Sequence, residues 1–408
     1  MPKQMFAEYP LVFYVSIVSL AFLLVRFAIP SIIHTANKYK LFDASDLHRK
    51  EHAENISRLG GIGLFCGFTI TVLLFATTVN YQEANFLIAS SILLFALGIK
   101  DDIYGVSPST KFALQIVVAL ILVCLGGFKL SSLYGVFDIW NVHPIAGGVF
   151  SVALIIFINN AFNLIDGVDG LAGTVGAIVS FFFGLFFALS GNMPYAFIAF
   201  SMLGAILGFL VFNYPPAKIF MGDTGSLIIG LVSAVLAIKF IEINKVGAGT
   251  VPYFSSAPAI AVAVLIVPIF DSLRIFFIRI INKRSPFRGD RNHIHHRLLR
   301  LGLNAKQILL VTVSFNLIMI GLTVLLSHLG NFILIFLQIG ICVVFNSVLT
   351  YVKGKKATKS YTVKDVFIKD TVKLSQTMYS GCSDAAAIEQ EATFIWMSLR
   401  CALISFPL

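Results

Sequence analysis

The stretch "AGGVFSVALIIFINNAFNLIDGVDGLAGTVGAIVSFFFGLFFALS", residues 146–190, consists of two long apolar runs separated by a short polar segment. Each run approaches the length that an α-helix needs to cross a bilayer, about 20 residues. The segment between them holds Asp166 and Asp169, and a carboxylate at the bilayer centre costs roughly 3 kcal/mol on insertion scales. The pattern therefore predicts two membrane-spanning helices whose polar connection lies in a wet cleft rather than in the hydrocarbon core.

The rest of the chain has the same character. Of its 408 residues, 58% are hydrophobic and 12% are charged, whereas about a quarter of the residues of a soluble domain are charged. We expect an all-α polytopic integral membrane protein with about eleven transmembrane helices. The predicted spans are residues 8–29, 60–79, 85–99, 112–127, 146–162, 173–190, 194–212, 226–241, 257–281, 307–328 and 331–350.

The basic residues are distributed unequally between the two sets of loops. Loops after even-numbered spans hold only Lys129 and Lys245, whereas the loop at 282–306 alone holds seven Lys and Arg residues. Basic loops stay in the cytoplasm, so this distribution predicts an N-terminus outside and a C-terminus inside. It also predicts a membrane domain of residues 1–352 and a cytoplasmic tail of residues 353–408, to which we assign no role.

Two other classes of protein are disfavoured by composition. The net charge of +10 is concentrated in the predicted cytoplasmic loops, which fits membrane topology and anionic ligands better than nucleic-acid binding. The five cysteines are scattered without CxxC spacing, so neither a disulfide framework nor a zinc site is indicated.

Four polar clusters lie in or beside the predicted cytoplasmic loops. They are "GIKDDIYGVSPSTK" (98–111), "NNAFNLIDGVDGLAGT" (159–174), "FMGDTGSL" (220–227) and "RGDRNHIHHRL" (288–298). The predicted outer loops hold nothing comparable. Any one cluster alone would be a solvated helix end, but four on one face favour a single cytoplasmic active site.

The residue types in these clusters indicate the chemistry. Their acids form an oxygen-rich set suited to Mg²⁺, which usually retains waters and substrate phosphates: Asp101, Asp102, Asp166, Asp169 and Asp223. On a helix, Asn163, Asp166 and Asp169 would fall along one side. The fourth cluster supplies donors for anionic oxygens: Arg288, Arg291, His293, His295, His296 and Arg297. This combination predicts phosphoryl transfer, in which catalysis is mostly positioning and charge neutralisation.

Two alternatives stay open at this point. The histidines could bind a transition metal, although arginines flank them and no cysteine or acidic partner stands at metal-site spacing. The protein could instead be a secondary transporter for an anionic solute, since buried acids and broken helices occur in transporters. Transporters place such groups near the midplane, whereas these clusters lie on one face.

The motifs and their order resemble the polyprenyl-phosphate N-acetylhexosamine-1-phosphate transferases over about residues 40–350. In chain order they are "HRKEH", the Asp-Asp pair, N-x-x-N-x-x-DG-x-DG, "MGDTGS" and "DRNHIHH". The last is similar to the GlcNAc-1-phosphate branch of that family. One departure is "ENISRLGG", where many members have prolines before the Arg-x-Gly-Gly.

The resemblance implies roles for individual residues. Asp223 would be the principal Mg²⁺ ligand and Asn163 a second contact, while Mn²⁺ could replace Mg²⁺. The implied catalytic residues are Asp101, Asp102 and Asp166, the first two near the lipid phosphate. The implied substrate-binding residues are Lys111 at the pyrophosphate, Asp169 and Phe220 at the uracil, and Arg291, His293, His295 and His296 at the sugar and pyrophosphate. Phe220 is one of 39 phenylalanines, most of which would pack against lipid or helices.

The resemblance further implies a reaction and a location. An N-acetylhexosamine 1-phosphate, expected to be GlcNAc-1-phosphate, would pass from a UDP-sugar to undecaprenyl phosphate with release of UMP. FucNAc and QuiNAc are the alternative sugars. This is the first membrane step in making O antigen, common antigen or teichoic acid linkage units. The enzyme would lie in the bacterial inner membrane with its active site at the cytoplasmic face, and a homodimer is compatible with this reading.

Overall fold

The computed structural model describes residues 9–41, 56–79, 83–136, 139–246, 252–283 and 293–352. The chain divides into two compact units, Met1–Asn346 and Ser347–Leu408. The site described below belongs to the first unit, as do all the described elements except residues 347–352 at the end of the last helix. The predicted tail, 353–408, lies outside the described residues.

Within the described residues the secondary structure is helical apart from one two-stranded hairpin. The first helices are α1 (Pro10–Tyr39), α2 (Gly60–Val79), α3 (Ala84–Tyr104) and α4 (Pro108–Leu120), which continues as a π-helix over Ile121–Leu125. The hairpin strands β1 (Ser132–Val136) and β2 (Ile139–Asn141) follow, antiparallel to each other. Next come α5 (Pro144–Ile165), α6 (Leu171–Leu189), α7 (Met193–Asn213) and α8 (Gly222–Val246). The last helices are α9 (Ala257–Val264), α10 (Ile266–Ile281), α11 (Ile294–Arg300), α12 (Ala305–Leu325) and α13 (Asn331–Val352).

The all-α polytopic architecture is confirmed. Among the described helices, eight are long and apolar enough to cross a membrane, or nine if α9 and α10 count as one span bent by 81°. A helix lies at each of the eleven predicted positions. The two that fall outside the nine are α2, whose apolar part covers Gly60–Phe75, and α3, whose C-terminal part carries Lys100, Asp101 and Asp102.

Helix α8 forms the centre of the bundle. In its most apolar part 83% of the residues are buried, against 22% to 39% in α1, α4, α5, α12 and α13. It packs against α2, α3, α5 and α6, and its apolar residues face all sides, as expected of a helix surrounded by other helices. Because Asp223 lies in the first turn of α8, this packing fixes the position of the "MGDTGS" motif relative to these four helices.

Close approach of α3 to α8 depends on a small residue. A Cβ at Gly98 would lie 2.5 Å from the Cα and 2.7 Å from the backbone nitrogen of Thr224, a residue that is completely buried. We expect Gly98→Ala to lower the free energy of unfolding by about 1–3 kcal/mol, since the two backbones would be forced apart. Thermal unfolding of the purified protein measures this. Gly321→Ala in α12 is the control, because a Cβ there meets no described atom within 4 Å, and equal effects of the two substitutions would contradict the prediction.

The opposite end of α8 carries a polar cluster that the sequence did not indicate. Lys239 Nζ lies 3.0 Å from Glu83 Oε2, and the Tyr195 hydroxyl donates to the same carboxylate. The ammonium group also lies 4.8 Å from the centroid of the Phe128 ring, a cation–π arrangement. These contacts tie α3, α7 and α8 together at the end of the bundle far from the predicted site.

Candidate active site

The "MGDTGS" motif at the start of α8 requires glycine at its second position. Gly222 has φ of +69°, a region that favours glycine. A Cβ there would collide with the Arg58 carbonyl oxygen and would lie 2.7 Å from both carboxylate oxygens of Asp102. Gly222 thus lets two other segments approach the backbone that presents Asp223.

Asp102 caps the N-terminus of α8. Its Oδ1 accepts from the Asp223 N–H at 2.8 Å, and its Oδ2 accepts from the N–H of Thr224 at 3.0 Å and the Thr224 hydroxyl at 2.6 Å. A carboxylate in this position satisfies unpaired N–H groups and complements the helix dipole. Burial raises the pKa of Asp102 to about 6, although the hydrogen bonds from Thr224 oppose that rise. Its contacts are those of a positioning residue for Asp223, while the predicted catalytic role stays a prediction.

Four of the predicted site residues meet around the side chain of Asp223. Asn163 Nδ2 donates to Asp223 Oδ1 at 2.8 Å, and the Lys111 ammonium pairs with Asp223 Oδ2. Lys111 also lies 3.2 Å from Asp101 Oδ2, while Asp101 Oδ1 accepts from the Val106 N–H at 2.6 Å. Helices α3, α4, α5 and α8 therefore each contribute a side chain to one cluster, as the sequence predicted.

The "RLGG" segment, residues 58–61, is bonded to the loop that precedes α8. The Phe220 N–H donates to the Ser57 carbonyl at 2.8 Å, and the Gly60 N–H donates back to the Phe220 carbonyl at 3.0 Å. The Gly61 N–H donates to the Met221 carbonyl at 2.9 Å. This ladder holds Arg58, which is exposed, at the edge of the cluster.

These elements enclose a cleft of about 360 Å³. Its lining contains three acids and one base, and the lining residues are Arg58, Asn163, Asp166, Gly167, Val168, Asp169, Asn213, Phe220, Gly222 and Asp223. Burial raises the pKa of Asp166, and the nearby Asp102 carboxylate adds to the rise. An acid-rich cleft of this kind favours the binding of a cation, or of an anion that is bound to a cation.

The floor of the cleft is held by side chain to backbone hydrogen bonds. Asp169 Oδ2 accepts from the Ala217 N–H at 3.0 Å. Asn213 accepts from the Gly170 N–H at 2.9 Å and donates to the Ile219 carbonyl at 2.9 Å. Asp169 thus both lines the cleft and accepts a hydrogen bond from the backbone of the loop before α8. The half-buried Phe220 is also one of the lining residues.

The three histidines of the last motif lie together at the start of α11. The rings of His293 and His295 are nearly parallel, with centroids 5.5 Å apart, and the ring of His296 lies 4.3 Å from that of His295. Burial lowers the pKa of His295 to about 4, so this ring is neutral at neutral pH. His295 contacts Gly167, where a Cβ would collide with Nε2. Arg291 lies outside the described residues.

Two residues near the site were not among the sequence predictions. Arg58 lines the cleft, and its signal was a cation beside Gly-Gly in a predicted cytoplasmic loop. Asp271, in α10, is 2% exposed and bonds to His293. Its signal was an acid inside a predicted span, a position where ionisable residues are rare and usually functional.

The donor set around Asp223 fits Mg²⁺. The carboxylates of Asp101 and Asp223 both pair with the Lys111 ammonium, and Asn163 turns its Nδ2 toward Asp223 Oδ1. The two carboxylates are the oxygens that Mg²⁺ would take, and the Asn163 oxygen would join them with its amide group turned over. Mg²⁺ prefers oxygen ligands and is often bound through one or two carboxylates plus substrate phosphates. The described residues contain no group of three His, Cys, Asp or Glu side chains arranged to hold a metal alone. Such a site would therefore need substrate or water oxygens as well.

Comparison with known proteins assigns the chain to a family. The model of glycosyl transferase family 4 matches residues 84–241. A probable undecaprenyl-phosphate N-acetylglucosaminyl 1-phosphate transferase of Bacillus subtilis is 32% identical over 314 residues, which are 75% of this chain and 83% of the relative. The chain belongs to glycosyl transferase family 4. The predicted resemblance to the polyprenyl-phosphate transferases is thereby confirmed.

Two other relatives bear similar names. The decaprenyl-phosphate N-acetylglucosaminephosphotransferase of Mycolicibacterium smegmatis is 35% identical over 297 residues, 67% of this chain and 72% of the relative. The undecaprenyl-phosphate alpha-N-acetylglucosaminyl 1-phosphate transferase of Escherichia coli K12 is 29% identical over 324 residues, 76% of this chain and 85% of the relative. The segment matched by the family model contains the Asp223 cluster, but neither Arg58 nor the histidines.

Proposed function

We propose that this protein transfers GlcNAc-1-phosphate from UDP-GlcNAc to undecaprenyl phosphate and releases UMP. The observation that carries the proposal is the cluster of Asp101, Lys111, Asn163 and Asp223 beside an acid-rich cleft. Relatives that cover most of the chain bear names for this reaction on a polyprenyl phosphate. Enzymes of phosphoryl transfer work by positioning and by neutralising charge, and the cluster supplies both.

The reaction needs one bond to form and one to break. An oxygen of the lipid phosphate attacks the β-phosphorus of the UDP-sugar, and the bond from that phosphorus to the oxygen bridging to the α-phosphate breaks. The electron pair leaves with UMP. When bound, Mg²⁺ would neutralise the developing charge on the pyrophosphate oxygens.

The residues of the chain have distinct roles in this proposal. Asp223 and Asn163 hold the metal, and Asp102 keeps Asp223 in place through the start of α8. Lys111, which pairs with Asp223, and Arg58, which lines the cleft, bind the phosphates of donor and acceptor. Asp169 and Phe220 bind the uracil, and the histidines with Arg291 bind the sugar and pyrophosphate. Asp101 and Asp166 are the candidate groups for moving a proton from the lipid phosphate.

The membrane arrangement is part of the same proposal. We propose eleven spans with the N-terminus outside and the C-terminus in the cytoplasm, so that the cleft opens to the cytoplasmic face of the bacterial inner membrane. The basic residues of the loops next to the cleft support this orientation. It also places the site where UDP-sugars are made.

Release of UMP by purified protein tests the function. We expect UMP from UDP-GlcNAc only when undecaprenyl phosphate is present, and little or none from UDP-FucNAc or UDP-QuiNAc. A metal chelator should abolish release and added Mg²⁺ should restore it, with Mn²⁺ as a partial substitute. No UMP from any UDP-sugar, together with nucleotide-sugar flux into proteoliposomes, would contradict the proposal in favour of a transporter. Preference for another UDP-sugar would correct the donor alone.

A further inference from the structure

A buried acid and a buried histidine form a pair behind the cleft. Asp271 Oδ2 lies 2.9 Å from His293 Nδ1, and the two residues are 2% and 4% exposed. The other oxygen, Oδ1, accepts from the Ile294 N–H at 2.8 Å and lies 3.7 Å from Arg274 Nη2. One carboxylate in α10 therefore bonds both the side chain and the backbone at the start of α11.

This pairing determines how His293 presents its ring. An ionised carboxylate only accepts hydrogen bonds, so Nδ1 of His293 carries the proton. In the neutral ring Nε2 is then the acceptor, and the ring cannot turn without losing its bond to Asp271. A partner on one ring nitrogen sets the tautomer and orientation at the other.

The pair is connected to the cleft through ring contacts. The His293 ring lies nearly parallel to that of His295, and His295 contacts Gly167 in the cleft lining. A shift of α11 would therefore move His295 against Gly167 and displace the loop that carries Asp166 and Asp169. Asp271 holds α11 in the way that Asp102 holds α8, since each carboxylate bonds N–H groups at the start of a helix that bears a site motif.

We infer that Asp271 is a positioning residue for the donor sugar nucleotide. It fixes the orientation of the His293 ring and the position of the first residue of α11, and it need not touch the substrate itself. This inference rests on the proposed function, and it adds to it a residue that lies inside a predicted membrane span rather than in any of the four polar clusters.

Asp271→Asn tests the inference in the full-length protein. Asparagine keeps an oxygen that accepts from the Ile294 N–H, but it loses the charge. Its NH2 group would face His293 Nδ1 and would donate where the carboxylate accepts. We expect the KM for UDP-GlcNAc to rise roughly tenfold or more, by analogy with the loss seen when the partner of a metal-binding histidine is removed. The KM for undecaprenyl phosphate and the Mg²⁺ dependence should change little. Wild-type protein run in parallel reports separately whether the proposed reaction occurs at all.

Ser272→Ala is the matched control. Ser272 is the next residue in α10 and is also buried, and its hydroxyl has no hydrogen-bond partner in the described part of the chain. We expect this variant to keep the wild-type KM for UDP-GlcNAc. An unchanged KM in Asp271→Asn, or an equal rise in both variants, would overturn the inference.

A double variant distinguishes positioning from general support of the fold. If Asp271 acts through His293, Asp271→Asn should add little to the loss already caused by His293→Ala. Losses that multiply would show that Asp271 acts elsewhere and would reject the inference. Should Asp271→Asn fail to fold, His293→Asn replaces it, because the amide can still donate to Asp271 while offering nothing in place of Nε2. A wild-type KM in His293→Asn would equally overturn the inference.

Discussion

Asp223→Asn is expected to lower the rate of UMP release by roughly a thousandfold, the largest effect of any single substitution. The change removes one negative charge and leaves the shape of the side chain almost unaltered. Asn163 Nδ2 and Lys111 Nζ now donate to different oxygens of Asp223, and asparagine would keep an acceptor for only one of them. The strongest oxygen donor for Mg²⁺ would also be lost. Steady-state assays at several Mg²⁺ concentrations measure the effect.

The control lies at the other end of the same helix. Glu242 accepts hydrogen bonds from the N–H and hydroxyl of Ser131 in the segment before the hairpin, and Glu242→Gln removes the same charge far from the cleft. We expect it to keep near wild-type activity. Both variants should unfold thermally within a few degrees of wild type. Substantial activity of Asp223→Asn at ordinary Mg²⁺ concentrations would reject the assignment of Asp223 as the main ligand.

Arg58→Gln is expected to lower kcat/KM by roughly a hundredfold, which is the loss of one or two charge-assisted hydrogen bonds to phosphate oxygens. The Lys111 ammonium balances Asp223, but the lining of the cleft also holds Asp166 and Asp169, and Arg58 is the one base among the lining residues. A nucleotide sugar therefore needs the positive charge of Arg58. Arg58→Lys should recover only part of the loss, because lysine keeps the charge without the two-pronged donor geometry.

Lys218→Gln is the matched control for Arg58. Lys218 is exposed in the loop between α7 and α8, close in sequence to Phe220, but it is not among the residues that line the cleft. The substitution Lys218→Gln should leave kcat/KM within about twofold of wild type, a difference in activation free energy of well under 1 kcal/mol. Similar losses from Lys218→Gln and Arg58→Gln would indicate that the overall positive charge near the cleft matters, and would count against a direct contact between Arg58 and the phosphates.

The membrane architecture could be predicted from the sequence because long apolar runs leave few alternatives. Helices were expected at eleven places and occur at each of them in the described residues. The sharp bend between α9 and α10 and the hairpin after α4 were not predicted. The bend lies at Leu265, three residues before Pro268, whose missing N–H and ring commonly break a helix at this distance, so proline was the signal that the predicted span did not use. The hairpin strands are only five and three residues long, too short for a clear period-two pattern.

The convergence of Asp101, Lys111, Asn163 and Asp223 was predicted from motifs that lie in separate loops. The different contacts that neighbouring acids make were not predicted. Asp101 and Asp102 are adjacent in sequence, but one faces Lys111 and the other caps α8. Which neighbour an acid finds depends on helix rotation, and a motif does not encode that rotation. Asp271 was missed for a related reason, since its partner histidine is 22 residues away.

The bonded ladder between residues 57–61 and 220–221 has a consequence for dissecting the protein. The segment that the family model matches, residues 84–241, begins after Arg58 and ends before the histidines of the last motif. A fragment cut to that stretch would lose a wall of the cleft on either side, together with the backbone partners of Phe220 and Met221. The smallest piece able to work must therefore reach from before Ser57 to beyond α11. Efforts to graft the activity onto a shorter scaffold, or to express a minimal version, should be planned around that larger unit.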